Sequence, residues 1–191
     1  MNIPGQESAW PYANDLWIDI MGGSGWNPNP EKDPPSALPS PPEEARSGPA
    51  QHLLVVEDNE ADIFLIQEAI AAVSLPVTVH VVRNGDQAIR FFDQADSAAD
   101  APCPALVLLD INLPRTSGYE VLKHLRNSAR CNKAHVIAVS TSDAESDRRK
   151  MAELGANGYF RKPSEYADFM KLGNIVETVL RQSAGDSRDP G

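Results

Sequence analysis

No stretch of this 191-residue chain approaches the roughly 20 apolar residues that a bilayer-spanning helix needs, and its start lacks the basic-then-apolar order of a secretory signal. The expectation is a cytoplasmic protein with no membrane contact. Positive charge is also scarce: 17 Lys and Arg stand against 27 Asp and Glu, a formal net charge of −10, with no extended basic run. A chain of that kind lacks the electrostatic footprint of non-specific nucleic-acid binding, so no nucleic-acid partner is expected. Cysteine is nearly absent. Cys103 and Cys131 have neither CxxC spacing nor clustered histidine around them, which speaks against a zinc site or a disulfide framework and predicts two reduced thiols. His52, His80, His124 and His135 are scattered, and none reads as a metal ligand or phosphodonor.

What the chain does contain changes near position 50. The first fifty residues hold 10 of the 16 prolines, all three tryptophans, and seven acids against two bases. Residues 28–50, where prolines mix with Ser, Glu, Asp and Ala, cannot bury enough apolar surface to offset ordering entropy and read as an extended linker. Residues 1–27 are different, with Trp10, Tyr12, Leu16, Trp17, Ile18, Ile20, Met21 and Trp26 crowded together. Asn14 can cap a short helix over 15–21. This segment reads either as a docking peptide for a partner or as a flap on the chain's own domain.

From Gln51 onward, apolar runs of strand length alternate with amphipathic helical stretches, the pattern of a doubly wound α/β domain with a parallel sheet. Strands are predicted at 52–56, 76–82, 105–109, 136–139 and 158–160. Helices are predicted at 61–73, from the Asn84 cap to about 94, at 119–126, at 143–154 and from 165 to about 181. The third strand is the least polar and is therefore expected at the centre. Gly155 suits the left-handed residue that follows a helix. The domain thus spans 51–183, with 184–191 as a flexible tail.

In open sheets of this type, ligands bind beyond the carboxyl ends of the strands. Strand one ends in Glu57-Asp58, strand three in Asp110, strand four in Ser140, and strand five leads into Lys162-Pro163. Three converging carboxylates repel one another, and one lysine cannot balance them; a hard cation such as Mg²⁺ is the usual remedy. A cation beside a lysine and a hydroxyl is what an incoming phosphoryl group needs. Each residue also has a bland reading: Asp58 as a helix N-cap, Tyr159 as a core aromatic, Lys162 as a surface lysine. Their joint placement at successive strand ends outweighs those readings.

The motifs Val55-Val56-Glu57-Asp58-Asn59, Leu108-Leu109-Asp110-Ile111-Asn112-Leu113-Pro114 with Gly118, Val139-Ser140-Thr141-Ser142, and the run from Gly155 to Pro163 occur in that order. With them, residues 51–183 resemble the receiver domain of two-component response regulators. The wording of Glu57 to Asp62 and of Asp110 to Arg115 is similar to small stand-alone regulators that serve phytochrome-type sensor kinases. The resemblance implies a flavodoxin-like sheet of order 2-1-3-4-5. It implies that Asp110 is the phosphoacceptor and that Glu57, Asp58, Asp110 and the backbone carbonyl of Asn112 hold Mg²⁺. Lys162 and Ser140 would contact the phosphoryl oxygens, Tyr159 would be the switch aromatic, and the bond before Pro163 would be cis. Asn112 and Ser142 would face the route of attacking water. Glu57 and Ser140 stand where the family often has Asp and Thr.

The function so implied is a single-domain switch, not an enzyme acting on other substrates. Its expected partners are a sensor histidine kinase or phosphotransfer protein, a downstream protein, and a second copy docked through the fourth helix, fifth strand and fifth helix. Arg148, Arg149 and Lys150 would there meet Glu165, Asp168 or Glu177. No output domain is expected after the last helix. Two alternatives remain: a receiver-fold scaffold without phosphorylation, and a Mg²⁺-dependent phosphohydrolase. The second normally needs Asp-x-Asp after strand one and a cap insertion, and neither is present.

Overall fold

A computed structural model of the protein describes residues 51–73 and 75–186. The aromatic segment 1–27 with its expected helix, the linker 28–50 and the end of the chain beyond residue 186 lie outside the described residues. Five strands, β1 (Gln51–Val56), β2 (Val77–Val82), β3 (Leu106–Asp110), β4 (His135–Ser140) and β5 (Gly158–Arg161), pair in parallel in the order β2-β1-β3-β4-β5. Between them run α1 (Glu60–Ala71), α2 (Gly85–Ser97), α3 (Gly118–Asn127) and α4 (Glu145–Glu153). The expected last helix is split at Met170 into a short α5 (Tyr166–Phe169) and a long α6 (Lys171–Asp186), which runs past the predicted end near 181 and takes in the first residues of the expected tail. Among the described residues no helix is long and apolar enough to cross a membrane.

Alternation along the strands builds two cores. Leu54, Val56, Val107 and Leu109 face Phe92, Leu122, Leu125 and Met151 of α2, α3 and α4. Leu53, Val55, Leu106 and Leu108 face Ile66 and Ile70 of α1 and Leu172 and Val176 of α6. Successive strand residues point to opposite faces, so a sheet covered on both sides needs continuous apolar runs, and β3 is buried over its whole length at the centre. Asn59 Oδ1 caps α1 by accepting from the N–H groups of Ala61 and Asp62, and Asn84 Oδ1 caps α2 by accepting from Gln87. Asp58 is therefore not the cap of α1. Gly155 follows α4 at φ +94°, the left-handed conformation expected of it.

The loops that enter the strands are tied together. The guanidinium of Arg126 donates to the carbonyls of Asn132, Ala134 and Gly155. Arg130 donates to the carbonyls of Ala95, Ala98 and Ala99, and so closes the end of α2. Cys103 and Cys131 form a disulfide, which corrects the expectation of two reduced thiols. The reason is topological: they are 28 residues apart in sequence, but each precedes one of the neighbouring strands β3 and β4, so both lie at the same rim of the sheet. A bridge closing a loop of that length stabilises by about 3.5 kcal/mol, chiefly by restricting the unfolded chain. Urea denaturation with and without reductant is expected to show that loss, and Cys103→Ser/Cys131→Ser is expected to match the reduced protein and ignore reductant.

Candidate functional site

The rim at the carboxyl ends of the strands collects the polar residues. Glu57 follows β1 and is fully buried, and its backbone N–H donates to the Val82 carbonyl, extending the pairing with β2. Asp110 is the last residue of β3, and only 6% of its surface is exposed. Ser140 ends β4, wholly buried, and the Lys162 N–H donates to its carbonyl at 2.8 Å. That bond carries the β4–β5 pairing one residue past the strand and turns Lys162 toward the acids.

The lysine ammonium is the centre of the site. Lys162 Nζ donates to Glu57 Oε2 at 2.7 Å, Asp62 Oδ2 at 2.9 Å and Asp110 Oδ2 at 3.1 Å, with 6% of its side chain exposed. Asp110 Oδ1 accepts from the Asn112 N–H at 3.0 Å, which fixes the second carboxylate oxygen. Asp58 is exposed, yet one carboxylate oxygen each from Glu57, Asp58 and Asp110 lie within 4.8 Å of one another. An all-oxygen set of three carboxylates at that spacing, with a single ammonium beside it, fits a hard divalent cation such as Mg²⁺.

The loop after β3 must pass close beneath α3. The Gly118 N–H donates to the Ile111 carbonyl at 3.0 Å, and a side chain at Gly118 would collide with the carbonyl oxygen of Asp110. Only glycine permits that approach, which seats α3 directly against the acid-bearing end of β3.

Burial sets the ionisation of the cluster. Desolvation pushes the Glu57 carboxyl up to about 7; the hydrogen bond from Lys162 opposes this and the neighbouring charge of Asp110 adds to it. Desolvation alone would lower the Lys162 ammonium, but the hydrogen bonds to Asp62 and Glu57 and the charge of Asp110 prevail and raise it above its ordinary value. An acid whose folded pKa is raised contributes stability that is complete below the ordinary carboxylate value and is lost as pH rises through about 7. The metal-free protein is therefore expected to lose on the order of 3 kcal/mol between pH 4.5 and 8 through this group. Glu57→Gln should flatten that part of the urea-denaturation profile; an unchanged slope would refute the assignment.

Around Ser140 lies a clasp that the sequence reading did not anticipate. Ser140 Oγ accepts from the Ser142 N–H at 3.2 Å, and the Tyr159 hydroxyl donates to the Ser142 carbonyl at 2.9 Å. The Ser142 hydroxyl donates to Asp147 Oδ2 at 2.6 Å, and the Tyr119 hydroxyl donates to Asp147 Oδ1 at 3.0 Å. The Ser140 hydroxyl, the β4–α4 loop, α4, α3 and β5 are thus joined by one run of hydrogen bonds. Arg148 lies over the Tyr159 ring and pairs with Asp143, while Lys150 sits over Tyr119.

The structure brings Glu57, Asp58, Asp110 and Lys162 together at this rim, with Ser140 at the end of the next strand and the Tyr159 hydroxyl on the Ser142 carbonyl; one geometric expectation is corrected. The bond before Pro163 is trans, as are the other peptide bonds among the described residues, not cis as the resemblance implied. With the Lys162 N–H held by Ser140, the long side chain reaches all three carboxylates across a trans bond, and trans is the intrinsically favoured isomer before proline. Asp62 is the site member missed: it sits in the first turn of α1, where an acid already has a local explanation at the positive end of a helix. The histidines also prove less scattered than their spacing implies, since His52 Nδ1 and His80 Nε2 meet at 2.9 Å across β1 and β2.

Comparison with known proteins agrees with this geometry. The family model for the response regulator receiver domain matches residues 53–173. The response regulator Rcp1 of Synechocystis sp. is 32% identical over 132 residues, 69% of this chain and 90% of its own. The crystal structure of the phosphorylated cyanobacterial phytochrome response regulator RcpA superposes with a TM-score of 0.64 at 35% identity, over 70% of this chain and 96% of that one. A Mn²⁺-bound form of Rcp1 superposes with a TM-score of 0.60 at 31% identity, over 67% of this chain and 92% of that one.

Proposed function

This chain belongs to the response regulator receiver family, and from that premise we propose that Asp110 accepts a phosphoryl group from a sensor histidine kinase and that the phosphorylated domain signals through protein contacts. The observation that carries the proposal is the buried Lys162 ammonium shared by Glu57 and Asp110 at adjoining strand ends. Asp110 Oδ would attack the phosphorus of a phosphohistidine; the P–N bond breaks as the P–O bond forms, and its electron pair returns to the imidazole. Glu57, Asp58, Asp110 and the carbonyl of Asn112 would hold Mg²⁺, which when bound neutralises phosphoryl oxygens. Lys162 would pair with one such oxygen, and Ser140 Oγ would hydrogen-bond another. Ser140 would then give up the Ser142 N–H, and the pull would pass to Tyr159 through the Ser142 carbonyl. Asn112 and Ser142 stand on the route of attacking water, and a water there competes with Asp147 for the Ser142 hydroxyl.

The likeness to RcpA, a cyanobacterial phytochrome response regulator, supports a phytochrome-type kinase as donor. A dimer through α4, β5 and α6 is part of the proposal. That face carries a cavity of about 400 Å³ lined by Ile137, Tyr159, Phe160, Ile175 and Val179, with Ile175 exposed. Asp168 and Glu177 already pair with Lys171 and Arg181 in their own chain, which leaves Glu165 as the acid for Arg149 of a second copy.

The test is intact mass after incubation with acetyl phosphate. A single phosphoryl gain that requires Mg²⁺ is expected. Folded protein that gains none, either from acetyl phosphate or from a phosphorylated histidine kinase, would favour the scaffold reading.

A further inference from the structure

Lys162 has three N–H donors, and all three are taken by carboxylates. Glu57 and Asp110 belong to the converging acidic cluster; Asp62 does not. Asp62 reaches the lysine from α1, 100 residues away in sequence, and its side chain is 23% exposed against 6% for the lysine. The favourable place of an acid in the first turn of a helix explains its presence there, but not this contact.

We infer that Asp62 is a positioning residue that holds the Lys162 ammonium while Asp110 is unmodified and competes with an incoming phosphoryl group for it. The inference rests on the reading of Asp110 as phosphoacceptor. A phosphoryl group brings up to two negative charges and three acceptor oxygens, so Lys162 can serve it only by releasing a carboxylate. Glu57 is fully buried, and its other hydrogen bond comes from the Asn59 N–H at 3.2 Å; without the lysine it would be a buried charge with a single donor. Asp62 borders solvent, and water can replace its lost partner. It is therefore the acid that yields the lysine, and the affinity of the site for a phosphoryl-like anion is set against that release.

Removing the Asp62 charge acts twice with the same sign. It removes the competitor for Lys162, and it removes a negative charge near the position of the arriving anion. Asp62→Asn is expected to bind the beryllofluoride anion, a phosphoryl mimic, roughly threefold to tenfold more tightly than wild type at saturating Mg²⁺. Asp62→Glu should stay near wild type. Mg²⁺ affinity should fall only by a comparable long-range charge effect, well short of the loss of a direct ligand, because Asp62 lies outside the metal set.

Calorimetric titration of the full chain measures both constants, and Asp62→Ser provides a second neutral replacement should the Asn variant fold poorly. Unchanged or weaker beryllofluoride binding in the folded neutral variants overturns the inference, as does a large loss of Mg²⁺ affinity, which would make Asp62 a metal ligand. Wild type that binds beryllofluoride while the neutral variants gain nothing refutes the Asp62 role alone. Wild type that neither binds the anion nor takes up a phosphoryl group refutes the phosphoacceptor reading, and this inference falls with it.

Discussion

Asp110→Asn is expected to reduce covalent phosphoryl uptake from acetyl phosphate to background without weakening the fold. The amide has the size of the carboxylate but only one acceptor oxygen, so it can keep the bond from the Asn112 N–H while giving up the one from Lys162, whose ammonium stays held by Glu57 and Asp62. What it lacks is an anionic oxygen able to form the bond to phosphorus. The site also loses one of its crowded negative charges, so the thermal midpoint of the metal-free protein should hold or rise. Intact mass reads the first effect, and the wild-type increment should be released by hydroxylamine, as an acyl phosphate is. An equal increment on Asp110→Asn would move the acceptor to another residue and overturn the assignment.

Lys162→Met should have the largest effect on stability. The methionine fills the volume of the lysine stem but leaves Glu57 and Asp110 buried at adjoining strand ends with no cation between them. Removing one partner of a buried pair costs about 3–5 kcal/mol, and with two acids left behind a loss of about 3 kcal/mol at pH 8 is a conservative expectation. Urea denaturation in a chelator reads it. Mg²⁺ should restore a larger share of stability to the variant than it adds to wild type, because the ion then supplies the positive charge that the acids lost with Lys162. Equal stability of the two proteins in the chelator would show that the ammonium does not hold the cluster together.

These residues were legible because strands are local objects. An apolar run ends where a polar residue begins, and a parallel sheet sets successive run ends along one rim, so Glu57, Asp110, Ser140 and Lys162 could be placed together from spacing alone. The low polarity of residues 105–109 also put the third strand at the centre, as observed for β3. The contacts that escaped depend on the angle at which a helix projects a side chain. Asp62 meets Lys162, and Asp147 meets Tyr119 and Ser142, only because α1 and α4 are rotated as they are on the sheet. The pairing of Cys103 with Cys131 escaped for a related reason: strand adjacency, not spacing, decides which lead-in loops touch. The break at Met170 carries no proline or glycine at that position to announce it.

The ties among the strand lead-ins make the sheet mechanically lopsided. Arg126, Arg130 and the disulfide fasten the loops before β3, β4 and β5 to one another, whereas the opposite rim is joined by the Lys162 ammonium, by hydroxyl bonds and by exposed pairs such as Arg83–Glu60. Strands anchored at one end resist sliding past each other when a push is applied at the other. The loop between β4 and α4, held through the hydroxyls of Ser140, Ser142 and Tyr159, is then a place where such a push can be taken up, as a lever turns about a fixed fulcrum.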